Sequence, residues 1–263
     1  MTPRTGRRLL NAYVVVMMVF LALPIAIVIP SAFGEGGDLS FPPRGFSLKW
    51  FGAILERPEL MAAAANSAAI ALVATAVSLV VGTLSAVALR RYSFPGRGAL
   101  MTLFMAPLVF PAIVLAAAIA MVLAPLGLIR TFQGLVLAHI VVVLPYVVRT
   151  VSATLAEVDR AWEEAALTLG ASPWRGFRTI TLPLLRPGLV AGATFSLIIS
   201  FDEFTISLFL VGSGMMTLPI EMYNYAEFSL DPTLAAVSTL LILLTTAAVL
   251  AVERTVGLGK QFS

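Results

Sequence analysis

The chain has 263 residues, 59% of them hydrophobic and only 12% charged, with a mean hydropathy of +0.98. A soluble domain carries about 25% charged residues. Here the apolar residues arrive in long runs rather than in an amphipathic period, which excludes a soluble globular protein and indicates an all-α integral membrane protein.

With no cysteine there is no disulfide framework, no thiolate metal site and no cysteine nucleophile. The sequence pI of about 9.6 comes from Lys and Arg scattered between apolar runs. Such charges orient a chain in a bilayer and call for no nucleic acid.

Six spans are predicted in a single membrane domain covering 1–263, at residues 9–33, 62–89, 99–124, 132–148, 188–211 and 233–252. The first follows Arg4, Arg7 and Arg8 but is longer than a signal-peptide core and lacks a small-x-small cleavage site, so it reads as an uncleaved span. With both termini inside, the inner segments hold thirteen of the 17 basic residues: Arg4, Arg7, Arg8, Arg90, Arg91, Arg97, Arg149, Arg160, Arg175, Arg178, Arg186, Arg254 and Lys260. The outer loops keep four, Arg44, Lys49, Arg57 and Arg130. That asymmetry fixes the orientation by the positive-inside rule. The outer segments 34–60 and 212–232 carry Glu35, Asp38, Glu56, Glu59, Glu221, Glu227 and Asp231. An acidic outer face suits a cationic solute, although the topology rule alone also removes bases from these loops.

Between the fourth and fifth spans, residues 150–187 form a polar insert on the predicted inner side. Leu155, Val158, Trp162, Ala165 and Leu169 recur at helical spacing and predict one amphipathic helix over 155–169. Gly170 can close it in the left-handed conformation. Ser172 and Pro173 then offer an N-cap and first residue for a second short helix, which Thr181-Leu182-Pro183 is expected to stop.

The insert also reads Glu164-Ala165-Ala166, three residues, Gly170, nine residues, Ile180, one residue, Leu182-Pro183. This resembles the EAA loop of the permease subunits of binding-protein-dependent ABC importers. The resemblance extends to Asn66-Ser67 as the opening of the permease core, and to Pro107, Pro111 and Pro145 as breaks in core helices. It implies the type I (MetI-like) permease fold in a bacterial inner membrane. It further implies a second related permease subunit, two ATPase subunits and an extracytoplasmic solute-binding protein. Glu164, Ala165, Ala166, Gly170, Ile180, Leu182 and Pro183 would then engage the ATPase. This chain would hydrolyse nothing and hold no cofactor, ATP being bound by the partner; no Gly-rich phosphate loop occurs in it.

The most costly residues are Asp202 and Glu203, each worth about 2.5–3.5 kcal/mol against insertion if near a span centre. In a continuous helix they would stand roughly 20 Å from Gly188 and point about 100° apart. Three readings are open: carboxylates lining a watery pathway, a pair with a base of the partner permease, or a protonated buried acid. Ser200-Phe201-Asp202-Glu203-Phe204 followed by Thr217-Leu218-Pro219 resembles the polyamine (spermidine/putrescine) subgroup of these permeases. On that resemblance Asp202, Glu203, Phe201 and Phe204 line the path of an aliphatic polycation. Importers of ferric iron or phosphonate share much of the pattern.

Weaker signals remain. Gly188 and Gly192 form a GxxxG pair suited to close helix approach, within the chain or across a permease dimer. His139, the single histidine, reads as a hydrogen-bonded packing residue. Residues 217–225 form either a re-entrant element or a surface loop. A remote rival, an intramembrane protease, would rest on Ser213 with His139 and has no supporting motif. A self-powered transporter would show an inverted repeat, and none is evident.

Overall fold

The computed structural model describes residues 3–212 and 214–256, and these are helical throughout apart from turns and loops, with no strand among them. Lys260 and Ser213 lie outside the described residues. Among the described residues four helices are long and apolar enough to cross a membrane, and up to six if each of two bent pairs counts as one span. The chain divides into two compact units, one made of Met1–Met61 with Met222–Leu244, the other of Ala62–Glu221 with Thr245–Ser263.

The first unit begins with α1 (Pro3–Ser31), whose side chains from 9 to 26 are exposed. A loop then folds over Phe33, whose ring stacks on Phe46 at 5.4 Å and meets Phe51 at 5.2 Å. Trp50 Nε1 donates to Gly34 O at 2.8 Å and Lys49 Nζ to Glu35 O at 2.7 Å, fixing α2 (Lys49–Leu55) on that loop. Arg57 lies over the ring of Tyr225 at 4.4 Å and 3.7 Å from Asp231. Asp231 accepts from the Tyr225 hydroxyl and, at 2.8 Å, from Thr233 N. With Pro232 as first helical residue this is an N-cap for the last described helix, α13 (Pro232–Val256). Partial burial pushes the Asp231 carboxyl up, but the bonds from Tyr225 and Thr233 and the Arg57 charge outweigh it and hold it below the usual range. Burial and the bond to Asp231 raise Tyr225.

The second unit is built on α3 (Pro58–Arg91) and α6 (Phe132–Glu157). In lipid there is no hydrophobic drive between helices, so close packing of small residues holds them together. A Cβ on Gly82 of α3 would come within 2.8 Å of Val147 on α6, which shows how near the two helices run. The predicted second span is thus longer than 62–89, and Asn66-Ser67 lie inside α3 rather than opening it. Asn66 Nδ2 reaches Met216 O at 3.0 Å, and Ser67 Oγ accepts from Leu218 N at 2.8 Å.

The third predicted span is not one straight helix. Between α4 (Arg97–Met105), its 3-10 extension Ala106–Leu108, and α5 (Ala112–Leu123) the axis turns by 109°. Pro111 has no N–H to continue the ladder and disfavours helical geometry at Phe110 before it, so the chain breaks there. Pro145, expected to break its helix as well, stays buried inside an uninterrupted α6. That helix also runs beyond the predicted end at 148, to Glu157. Burial along its length, Val143, Val147, Val148, Val151 and Leu155 included, overrides the local signal.

After the loop that carries α7 (Ala161–Thr168), α8 (Pro173–Gly176) and α9 (Leu182–Leu184), the chain enters α10 (Arg186–Phe201), packed extensively on α6. The GxxxG pair makes this contact within one chain. A Cβ on Gly188 would stand 2.5 Å from Thr154 Oγ1, and one on Gly192 2.7 Å from Thr150 Oγ1. Next come α11 (Thr205–Leu210) and α12 (Leu218–Phe228). Ile70, Ala116, Leu135, Ile206 and Leu210 form one core, and Ala86, Val147, Val151, Leu155 and Leu185 form another.

Candidate functional site

The loop from Val158 to Leu185 is ordered by turn chemistry at each of its corners. Val158 is extended and ends α6, so the single helix expected over 155–169 is split. The split has a local cause: Asp159 Oδ1 accepts from Ala161 N at 2.9 Å, an Asx turn that leads into α7 at its N-cap Arg160. At the other end Gly170 adopts φ +83°. Gly170 N bonds to Leu167 O and Ala171 N to Ala166 O, both at 3.0 Å. This is the Schellman closure, which glycine enters without strain. Ser172 Oγ accepts from Arg175 N at 3.3 Å with Pro173 first in α8, as the sequence indicates.

Thr181-Leu182-Pro183 does not stop the second helix. A π-helical turn over Phe177–Thr181 leads directly into α9, and the axis bends by 66° only at Leu185. Pro183 lacks the N–H of a regular turn, and the wider turn just before it accommodates that gap.

Glu164 and Ala165 are exposed on α7, while Ala166, Ile180, Leu182 and Pro183 are half-buried and Gly170 is exposed at the turn. Large apolar side chains stand uncovered near them: Trp162 at 64%, Leu169 at 89% and Trp174 at 66% exposure. Trp174 is braced by Phe177, ring to ring at 5.6 Å. Two exposed indoles and an exposed leucine on one polar loop have the make-up of an interface core.

Sequence reasoning missed Glu163. Its Oε1 takes Arg91 Nη2 at 2.9 Å and the Thr181 hydroxyl at 2.6 Å. A second carboxylate beside Glu164, with Arg90-Arg91 closing the second span, was the available signal.

The fifth predicted span ends early. Instead of running to 211, α10 stops at Phe201, Asp202 takes φ −92° and ψ 4°, and α11 begins at Thr205. Asp202 and Glu203 therefore lie at a break and not along a helix, and their roles divide. Glu203 Oε1 accepts from Ile206 N at 2.9 Å, capping the first turn of α11. Asp202 is exposed, with Phe201 and Phe204 half-buried beside it. His139, buried on α6, bridges the break: Nδ1 lies 2.7 Å from Ser200 Oγ and Nε2 3.1 Å from Ser207 Oγ. Both ring nitrogens are thus engaged, and among the described residues no three His, Asp or Glu side chains form a metal-sized cluster. One helix, α10, joins loop to break; its 16 residues span about 24 Å.

The model of a family described as "Binding-protein-dependent transport system inner membrane component" matches residues 78–256. The chain belongs to that family. It is 31% identical over 246 residues to the spermidine/putrescine transport system permease protein PotC of Escherichia coli K12, covering 94% of this chain and 93% of that one. It is 30% identical to the putrescine transport system permease protein PotI of the same organism, covering 85% and 82%. Among solved structures, a bacterial ABC transporter involved in the import of the acidic polysaccharide alginate superposes with a TM-score of 0.69, 17% identity and 98% coverage of both chains. The fold is that of the ABC importer permeases, and the chain is a membrane-embedded permease subunit of this family.

Proposed function

We propose that this permease forms one half of the transmembrane pathway of an ATP-driven importer for polyamines such as spermidine or putrescine, in a bacterial inner membrane. It pairs with a second related permease, two ATPase subunits and an extracytoplasmic binding protein, with the 158–185 loop and both termini on the cytoplasmic side. The chain holds no cofactor; ATP is bound by the ATPases. The observation that carries the coupling half of this reading is the exposure of Trp162 and Glu164 on α7, of Leu169 at its end and of Trp174 on α8, around a turn closed at Gly170. ATP-driven closure of the ATPases moves α7, and α10 carries the movement toward Asp202.

For the solute, the supporting observation is the uncovered carboxylate at a helix break. Non-helical backbone at membrane depth is tolerated only where protein buries it or a watery cavity lines it. Asp202 is exposed on the chain there, while Glu203 is occupied by capping. A carboxylate between two half-buried phenyl rings matches the alternating charge and methylene of an aliphatic polycation. The kinship with PotC and PotI favours the same class.

Two measurements test the two halves. Glu164→Lys in the assembled importer is expected to abolish solute-stimulated ATP turnover while the chain stays in the membrane; undiminished turnover overturns the coupling role. Binding of putrescine, spermidine, ferric iron and an aminophosphonate to the partner binding protein tests the solute, and a preference for either of the last two contradicts the polyamine reading.

A further inference from the structure

Glu163 stands next to the exposed Glu164, but about 100° further round α7, and its carboxylate is taken up within the chain by Arg91 and Thr181. Its side chain is 25% exposed and that of its partner Arg91 only 12%. The third member, Thr181, is 2% exposed in the π-helical turn. One carboxylate oxygen therefore joins α7, the last residue of α3 and the segment leading into α9. Arginines extend the tie. Arg160 Nη2 donates to Arg91 O at 2.8 Å and Arg90 O at 3.2 Å, occupying carbonyls that end α3. Arg90 Nε donates to Ser152 O of α6 at 3.3 Å.

The position of this tie matters mechanically. α7 is an eight-residue helix flanked by the turn at Val158 and Asp159 and by the Gly170 turn. A force on such a piece is absorbed by rotation at its two ends unless side chains bind it to something stiffer. α3, with 34 residues, is that stiffer element. Among the described residues Arg91 pairs with no other carboxylate, and its Nε is already buried without a partner. Removing Glu163 would leave a mostly buried guanidinium uncompensated, so the pair holds in one geometry.

We propose that Glu163 is a positioning residue that makes α7 and the C-terminal end of α3 one body, so that displacement of α7 is delivered to α3 instead of being lost in the flanking turns. This rests on the reading of α7 as the ATPase contact. Glu163 itself need not touch the ATPase.

The test uses the complete importer in vesicles and reads solute taken up per ATP hydrolysed. Glu163→Ala and Arg91→Glu should each lower that ratio about tenfold, within the usual range for energetic coupling of two sites. The ATPase should remain associated, and a crosslink from Ala165→Cys carrying a thiol-attached photoactivatable reagent to the ATPase should still form. The exchanged pair, Glu163→Arg with Arg91→Glu, should recover most of the ratio, which a simple loss of packing would not do. Glu163→Gln, which keeps an acceptor for Thr181 but not the charge, should fall between. An unchanged ratio in Glu163→Ala overturns the proposal, as does an exchanged pair no better than either single change. Failure of all these variants to assemble assigns Glu163 to folding alone and overturns it too. Absence of the Ala165→Cys crosslink in the otherwise unaltered chain defeats the ATPase reading instead, and so separates the two failures.

Discussion

Two interruptions of helix, one at 158–185 and one at 202–204, are built differently. In the loop, each end is closed: Asp159 leads into α7, Gly170 ends it, Ser172 starts α8, and Glu163 ties the assembly to α3. At the break in the fifth span Glu203 caps α11, Asp202 N closes α10 on Ile198 O, and His139 joins the two flanking helices through Ser200 and Ser207. Asp202 is left uncovered. A part that transmits force needs all its backbone ends fixed, whereas a part that meets a passing solute needs a polar group with no permanent partner. The same chain shows both solutions about one helix length apart.

The comparison can be broken at its strongest point with Gly170→Pro. Proline fixes φ near −65° where the turn needs φ +83°, and it deletes the N–H bonded to Leu167 O. Uptake should disappear while the protein still reaches the membrane, measured by transport in vesicles alongside membrane recovery. Full uptake would show that the turn need not be rigid.

A smaller effect separates the two carboxylates. Asp202→Asn should lower polycation uptake about tenfold, the worth of roughly 1.4 kcal/mol, with unchanged thermal stability in detergent. Glu203→Ala should do the reverse, costing about 1 kcal/mol of stability through the lost cap. Equal loss of uptake and stability in Asp202→Asn would place it in a structural pair. His139→Ala removes the partner of two buried hydroxyls and should cost about 1–3 kcal/mol, visible as a lower unfolding temperature.

The smallest effect lies in the other unit. Asp231, held below its usual range, contributes stability that is present above the unfolded carboxyl value of about 4 and fades as pH falls through the lower folded value. Asp231→Asn should therefore flatten the acid limb of the stability profile below about pH 4. A profile identical to the unaltered chain's would show that the Arg57–Tyr225–Asp231 cluster contributes nothing to stability.

What could be read from the sequence follows the same division. Gly170 and the Ser172-Pro173 start were legible because turn and cap chemistry is local to a few residues. The split of α7 from α6 was legible in principle through Asp159, a capping residue overshadowed by an unbroken apolar period. The break at 202–204 was not, since its determinants are His139, 61 and 68 residues from its two serine partners, and a capping carboxylate that reads as a buried charge. Pro145 and Pro183 mislead in the other direction: strong local breakers are overruled by the packing of α6 and by a widened turn. The fold class was plain from composition, but the division of labour between Asp202 and Glu203 needed three dimensions.

The central claim is that α7 seats against an ATPase subunit. An Ala165→Cys variant, crosslinked in membranes of cells carrying the full importer, tests it most directly. The expected result is a product containing this chain and the ATPase, with a yield that changes when ATP is added. No such product, or labelling of the introduced thiol by a membrane-impermeant reagent from outside the cell, would contradict it.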